Sequence, residues 1–315
     1  MKALGISAIV LALLAAAGCT AQKGYCTIGG YAQGGTYSVT LKLDGSSLGR
    51  EELAAGIDSI LHTVDTTLSG YNKGSQLSRL NRGEEVTPSP MFKDIAEVSR
   101  KWKEESGGAF DVNAAPLFDV WGFGFTSGSL PSEEEVAEAM ALSREGKTFN
   151  FNAIAQGYTA DLVARYLRAA GIHDFLVDIG EICCEGLNPS GKGWTIGIDT
   201  PEDGNNTPGA SLSGIWHSDG GARGVVTSGN YRKFYVRDGR KYSHTIDPRT
   251  GRPVEHSLLS ATVIADDATT ADALATFFMV IGTQEASAWV ESHPGVEACL
   301  IASDTTWVSK GFNIE

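Results

Sequence analysis

The octapeptide His244-Thr245-Ile246-Asp247-Pro248-Arg249-Thr250-Gly251 gathers groups that titrate or bind anions. His244 and Asp247 stand three residues apart beside Arg249, in a loop stiffened by Pro248 and released by Gly251. Such a set at a strand exit can carry acid–base or phosphate chemistry. It reads equally as a solvated hairpin end with a surface ion pair, and these residues alone leave both readings open. A second pair, Asp272 and Thr276, has i,i+4 spacing, so both side chains face one way on a helix. A carboxylate and a hydroxyl suit a hard cation such as Mg2+, with backbone carbonyls and phosphates completing the shell. The same pair also fits an ordinary polar helix face. Leu274, Phe277, Phe278 and Ile281 around it point to burial, and a buried carboxylate needs a cation or hydrogen-bond donors. No P-loop, HExxH or EF-hand loop is present.

The elements that must position these residues follow from periodicity and turn signals. Phe234, Tyr235 and Val236 form a strand, and Asp238-Gly239 is a two-residue hairpin turn that leads back toward His244. Residues 31–43 read as a strand interrupted at Gly34-Gly35-Thr36. Leu53, Ile57, Ile60, Leu61, Val64 and Leu68 recur at helical spacing, giving a helix over 51–68. The Ser75–Asn81 stretch reads as a polar turn, and residues 88–103 as a second helix. Between Gly108 and Phe125 runs an aromatic, glycine-rich stretch that fits either a packed loop or a surface stacking on a planar ligand. Ser132 and Glu135 are spaced as a capping box. A helix over 158–170 carries Asp161 and Arg165 as an i,i+4 pair. Strands are expected at 175–179, 194–199, 223–227, 260–264 and 298–302, with helices at 266–282 and 284–292. Hairpins mixed with long helices make this an α+β chain, not a doubly wound parallel sheet.

The length of 315 residues suffices for a large core and one or two domains. A formal net charge of -13, without a long basic run, argues against a nucleic-acid partner. Lys2, the apolar run Ala3–Ala17 and the small residues before Cys19 resemble a bacterial lipoprotein leader. That resemblance implies cleavage before Cys19 and lipidation of its thiol; an ordinary signal peptide is the alternative. The expected organisation is a leader over 1–18, a tether over 19–30 and a single domain over 31–315. Cys26, Cys183, Cys184 and Cys299 remain, without zinc-like spacing, and Cys183 and Cys299 read as small apolar strand residues.

Six motifs in one order carry a family resemblance. They are Ser69-x-Tyr71-x-x-x-Ser75-x-x-Ser78-Arg79-Leu80-Asn81, Gly108-Ala109-Phe110-Asp111, Ile154-Ala155-Gln156-Gly157-Tyr158, Ser228-Gly229-Asn230-Tyr231, the octapeptide from His244, and Ala271-Asp272-Ala273-x-x-Thr276. Together they resemble the ApbE family, the Mg2+-dependent FAD:protein FMN transferases of bacterial envelopes. The resemblance spans nearly the whole mature chain. It implies a T-fold-related α+β architecture, with mixed or antiparallel sheets, packed helices and a ligand cleft between two subdomains. The implied reaction moves FMN from FAD to a threonine hydroxyl and releases AMP. Implied acceptors are subunits of membrane redox pumps, of the sodium-pumping NADH:quinone reductase or Rnf type. The implied location is the cell envelope, lipid-anchored and facing the periplasm. Hydrolysis of FAD to FMN and AMP, or flavin binding with little turnover, are the alternatives.

By position, the resemblance makes His244 the acid–base residue, with Asp247 in the catalytic set and Arg249 in support. Asp272, Thr276 and the carbonyls near Ala153 and Ala275 become the Mg2+ shell. Tyr71 would stack on the flavin; Ala109, Phe110 and Asp111 would line the FAD pocket; Ile246 and Glu181 would meet the ligand. Three positions depart from the family pattern. Gly34 stands where Met is common, Asn150 where an acid is common, and Gln156 where Lys or Glu is common. Asn and Gln still hydrogen-bond a ribose or adenine but carry no charge.

Overall fold

The computed structural model describes residues 24–315 except 125–129, 204, 206, 208, 232, 233 and 238. The lipidation site Cys19 and the turn residue Asp238 therefore lie outside the described residues. In chain order the elements are β1 (Tyr25–Ala32), β2 (Gly35–Lys42), α1 (Arg50–Leu68), α2 (Gln76–Asn81), α3 (Pro90–Glu105), α4 (Ala115–Val120), α5 (Glu133–Glu145) and α6 (Ala155–Ala169). There follow β3 (Phe175–Asp178), β4 (Ile182–Glu185), β5 (Thr195–Asp199), β6 (Leu212–His217), β7 (Arg223–Gly229), β8 (Phe234–Arg237) and β9 (Arg240–Ser243). The chain closes with β10 (Ile246–Asp247), β11 (Arg252–Pro253), β12 (Leu258–Ala265), α7 (Ala268–Ser292), β13 (Glu297–Ala302) and β14 (Thr306–Val308).

Eight strands form one sheet in the order β1-β2-β3-β4-β7-β12-β13-β14, and every pairing in it is antiparallel. Because side chains alternate between faces, each strand feeds two cores. Val226, Ala261, Val263, Ala298 and Leu300 pack toward the helices, with Leu274 and Phe278 of α7. Val225, Ile264 and Cys299 point the other way, onto Trp194, Ile196 and Trp216 of the β5–β6 hairpin. The vicinal pair obeys the same rule: Cys183 packs with the helices, Cys184 with the hairpin, and both thiols are free. Cys183 and Cys299 are the buried strand residues the sequence implies.

A smaller core stands apart, built from Leu117 and Trp121 at α4, Val136 and Ala139 of α5, and Ile246. The aromatic stretch feeds it. Trp121, Tyr242, Tyr235 and Phe123 stack in sequence with centroid separations of 6.0, 5.3 and 5.0 Å. The α+β expectation holds: the sheet with the cores on its two faces makes one of the expected subdomains and this smaller core the other.

Four local readings differ from the structure. The sheet begins at Tyr25, inside the stretch read as tether, because Cys26 and Ile28 alternate inward although Gly29-Gly30 follows. The Gly34 region is a hairpin turn with Gln33 and Gly34 both at positive φ, not an interruption within one strand. Ser75–Asn81 is a short helix whose N-cap hydroxyl, on Ser75, accepts from the Ser78 N–H. Asp161 does not pair with Arg165: the carboxylate turns inward, and Arg165 lies over the Tyr158 ring at 5.8 Å. The expected break at Gly282 is present as a left-handed residue (φ 80°) inside α7. Among the described residues, no helix is long and apolar enough to cross a membrane.

Candidate functional site

Two helices hold the acidic centre by capping each other. The first N–H groups of a helix lack partners within it. On α6, the Gly157 N–H finds Asp272 Oδ2 of α7 at 2.9 Å. On α7, the N–H groups of Ala268 and Thr269 find Asp161 of α6 at 3.0 and 2.8 Å, and the Thr269 hydroxyl donates to the same carboxylate. Each carboxylate thus sits at the positive end of the other's helix. The close approach requires Gly157, where a Cβ would fall 2.2 Å from the Ala268 carbonyl oxygen.

Asp272 is 4% exposed. Burial pushes its carboxyl up to about 7, the Gly157 N–H opposing and Asp161 adding to the rise. Burial raises Asp161 as well, against the donors it accepts from Thr269 and Ala268. Gly157 is the hydrogen-bond partner of Asp272 among the described residues, and one oxygen is satisfied by it. Thr276 lines the same cavity one turn further on, as does Ala153. No three His, Cys, Asp or Glu side chains converge as a metal site among the described residues. A cation here would take a carboxylate, a hydroxyl and backbone oxygens, which is the donor set of Mg2+ and not of zinc. These residues fit that ion.

The cavity they face measures about 310 Å³ and lies between the two subdomains. One wall is the main core, with Asp272, Thr276 and the Thr227–Gly229 end of β7; the other is His244, Ile246, Pro248, Phe118 and Phe123. Ala109, Phe110, Asp111, Asn150, Gln156, Glu181 and Tyr71 complete it. Asp111 caps the turn after it by accepting from the Asn113 N–H at 2.9 Å, and pairs with Lys103 at 2.7 Å. Gln156 donates to the Ile179 carbonyl at 3.1 Å, close over the Gly180-Glu181 turn. His244 meets Phe123 edge-on at 6.4 Å, and the hydroxyl of the adjacent Thr245 donates to Asn230 Oδ1 at 2.5 Å, tying this loop to the end of β7.

Most of the candidate residues therefore meet in one place, but three do not. Asp247 is not a wall of the cavity. Its carboxylate accepts from the Arg249 side chain at 2.9 Å and from the Arg249 N–H at 2.9 Å, while its carbonyl accepts from Gly251. Asp247 braces the loop that presents His244 and Ile246, which is a supporting place and not a catalytic one. Ala275 is wholly buried in the main core inside α7 and is not among the residues that line the cavity. Gly34 lines a neighbouring cavity of about 900 Å³, with Tyr71, Asn152 and Gln156 in common with the first.

A third cavity, of about 610 Å³, opens between α2 and α5 and shares Tyr71, Phe123, Asn150 and Asn152 with the central one. Tyr71, 67% exposed, touches all three spaces. Sequence reasoning missed Asn152 and Asp161 as contributors, while Phe123 lies in the aromatic stretch read as a packed loop or a stacking surface. Asp161 carried a readable signal, because Ala160, Val163 and Ala164 around it are buried.

Comparison with known proteins matches residues 33–300 to the ApbE family. The FAD:protein FMN transferase of Vibrio cholerae is 33% identical over 302 residues, covering 89% of this chain and 89% of that protein. The FAD:protein FMN transferase of Salmonella typhimurium is 33% identical over 290 residues, covering 83% of this chain and 81% of that protein. Among solved structures, the flavin transferase ApbE from Vibrio cholerae superposes with a TM-score of 0.78 at 30% identity, covering 91% of this chain and 98% of that one. The apo flavinyl transferase ApbE of Pseudomonas stutzeri gives 0.78 at 33% identity, covering 91% and 95%. Family profile, relatives and fold agree with the cavity its motifs converge on: this chain belongs to the ApbE family.

Proposed function

We propose that the protein is a Mg2+-dependent FAD:protein FMN transferase that flavinylates a threonine of an envelope redox protein. The observation that carries the reading is the convergence of Asp272, Thr276, His244, Ile246, Tyr71 and the Ala109–Asp111 segment on one cavity. The relatives named FAD:protein FMN transferase support it.

In this reading the acceptor hydroxyl oxygen bonds to the FMN-side phosphorus and the bond from that phosphorus to the AMP oxygen breaks. The bonding pair leaves with AMP, and the hydroxyl proton passes to His244. Bound Mg2+ would neutralise pyrophosphate charge and stabilise the charge gathering on the leaving phosphate. The chain supplies the rest. Asp272 and Thr276 hold the cation site, and α6 fixes Asp272 through Gly157. Ile246 and Phe110 exclude water from the adenosine side, while Tyr71 offers its exposed ring to the flavin. Asp247 and Arg249 keep the His244 loop rigid, which serves proximity. Lipidation at Cys19 would hold the enzyme at the periplasmic face of a membrane, within reach of acceptors of the sodium-pumping NADH:quinone reductase or Rnf type.

The test incubates the full chain in detergent with FAD, Mg2+ and an unflavinylated redox subunit bearing the threonine. Covalent flavin fluorescence on the acceptor, with one AMP released per label, is the expected result. AMP release without labelled acceptor would replace this reading with FAD hydrolysis.

A further inference from the structure

The chemistry needs two substrates, yet the residues assigned so far serve only one of them. We propose that the 610 Å³ groove between α2 and α5 receives an extended segment of the acceptor protein, the segment that carries the threonine. The inference rests on the transferase reading and adds to it the surface for the second substrate.

Three observations lead to this groove. The first is continuity. The groove meets the reaction cavity at Tyr71, Phe123, Asn150 and Asn152, so a chain lying in it adjoins the space that His244 lines. The second is allocation. Gly34 and Tyr71 share the 900 Å³ cavity, and the transferase reading gives Tyr71 to the flavin; Ala109–Asp111 and Ile246 line the central cavity, which the same reading gives to the rest of FAD. Displacement at phosphorus needs the entering oxygen roughly opposite the leaving one, and the groove is the remaining approach.

The third observation is an unanswered donor. Thr148 lines the groove, and its Oγ1 is buried without a hydrogen-bond partner. A buried hydroxyl left unpaired destabilises the free protein, and rotation about the Thr148 Cα–Cβ bond would turn it into the groove, where a peptide group would satisfy it. The floor around it is fixed. Asn81 accepts from the Phe149 N–H at 2.9 Å and donates to the Phe149 carbonyl at 2.8 Å, standing in for a neighbouring strand. Asn113 donates to the Thr148 carbonyl at 2.8 Å. The walls carry both signs, with Lys73 and Arg82 on the α2 side and Glu135 and Glu138 on α5. A rigid floor between walls of both charges suits an extended polypeptide better than an apolar partner.

The experiment uses the full chain with FAD, Mg2+ and a recombinant unflavinylated subunit, and reads acceptor KM, FAD Kd and melting temperature for two variants. Leu142→Trp fills the groove mouth from a half-exposed position. It should raise acceptor KM about tenfold or more and leave FAD Kd within about twofold. Thr148→Val removes the unpaired hydroxyl at nearly constant volume. It should raise acceptor KM about three- to tenfold without lowering the melting temperature, a combination that a purely structural role does not produce. If both variants keep the wild-type acceptor KM, the groove is not the docking site. A rise in FAD Kd instead assigns the groove to the nucleotide and also overturns the proposal. Wild-type enzyme that binds FAD but labels no acceptor removes the transferase reading, and the groove assignment with it.

Discussion

Gly157→Ala probes the joint on which the acidic centre depends. In an ordinary exposed helix the change would stabilise by about 1 kcal/mol, since glycine is the poorer helix former. Here the new Cβ would lie 2.2 Å from the Ala268 carbonyl oxygen and 2.7 Å from Asp272 Cβ. Neither neighbour is a flexible tip, so α6 and α7 must part. Overpacking of this kind costs about 1–3 kcal/mol. Parting also stretches the Gly157 N–H bond to Asp272, now 2.9 Å, and a bond to a carboxylate contributes about 1.5–3 kcal/mol. Clash and lost bond outweigh propensity, for a net loss of roughly 2–4 kcal/mol, or a fall in melting temperature of roughly 4–8 °C. Turnover should fall further than stability implies, because a shift near 1 Å in a positioned group can cost about 100-fold. Thermal melts and transfer rates at 25 °C, with the variant fully folded, check both numbers. A variant that melts at or above wild type, with an unchanged rate, would refute the reciprocal capping argument.

Asp272→Asn should abolish Mg2+-dependent turnover and remove Mg2+-induced thermal stabilisation; retained activity would sink the metal assignment. The pH behaviour without divalent cation follows from the raised carboxyl of Asp272, which lies near 7 in the folded chain. Its favourable contribution is complete below the unfolded carboxylate range and is lost as pH rises toward and through about 7. Metal-free wild type should therefore lose stability across that window relative to Asp272→Asn, and parallel melting curves from pH 4 to 8 would contradict this. His244→Gln should lower transfer by about 100-fold or more, whereas Asp247→Asn should cost about tenfold or less and mainly lower the melting temperature. Equal losses at both positions would restore Asp247 to the catalytic set. Cys26, Cys183, Cys184 and Cys299 are buried and form no disulfide, and burial pushes the Cys184 thiol up to about 12 and that of Cys299 to about 11. A chain lacking Cys19 should resist a thiol reagent until it unfolds; rapid native labelling would show that one of these positions opens.

What the sequence made legible was local chemistry and its order. The six motifs carry Tyr71, Ala109–Asp111, Gln156, His244, Ile246, Asp272 and Thr276, the resemblance adds Asn150 and Glu181 by position, and all of them line one cavity. Gly282 was readable because glycine alone tolerates φ 80° without strain. The direction of a side chain was not readable. Asp247 could point to a ligand or to its own loop, and the bond to Arg249 decides for the loop. Asp161 has Arg165 at helical spacing, yet the unpaired N–H groups at the start of α7 are the stronger claim on a carboxylate. Long-range pairing was equally hidden. That β2 meets β3, and β4 meets β7, depends on chain closure over many residues and leaves no periodic trace. Strand β1 escaped notice because Gly29-Gly30 lowers its strand character.

Among the described residues the eight-stranded sheet is open, so it ends in two strands with one unpaired side, β1 and β14. Open edges invite a second copy to add its own strand. β14 is only 3 residues long, too short to template such an addition. β1 spans 8 residues, but Arg50 of α1 donates to the Thr27 carbonyl at 3.1 Å, placing a charged guanidinium on that strand. Lipidation at Cys19 would concentrate the protein on a membrane surface, where it would meet its own copies often. A short edge at one end and a charged edge at the other keep those encounters from growing into a continuous intermolecular sheet.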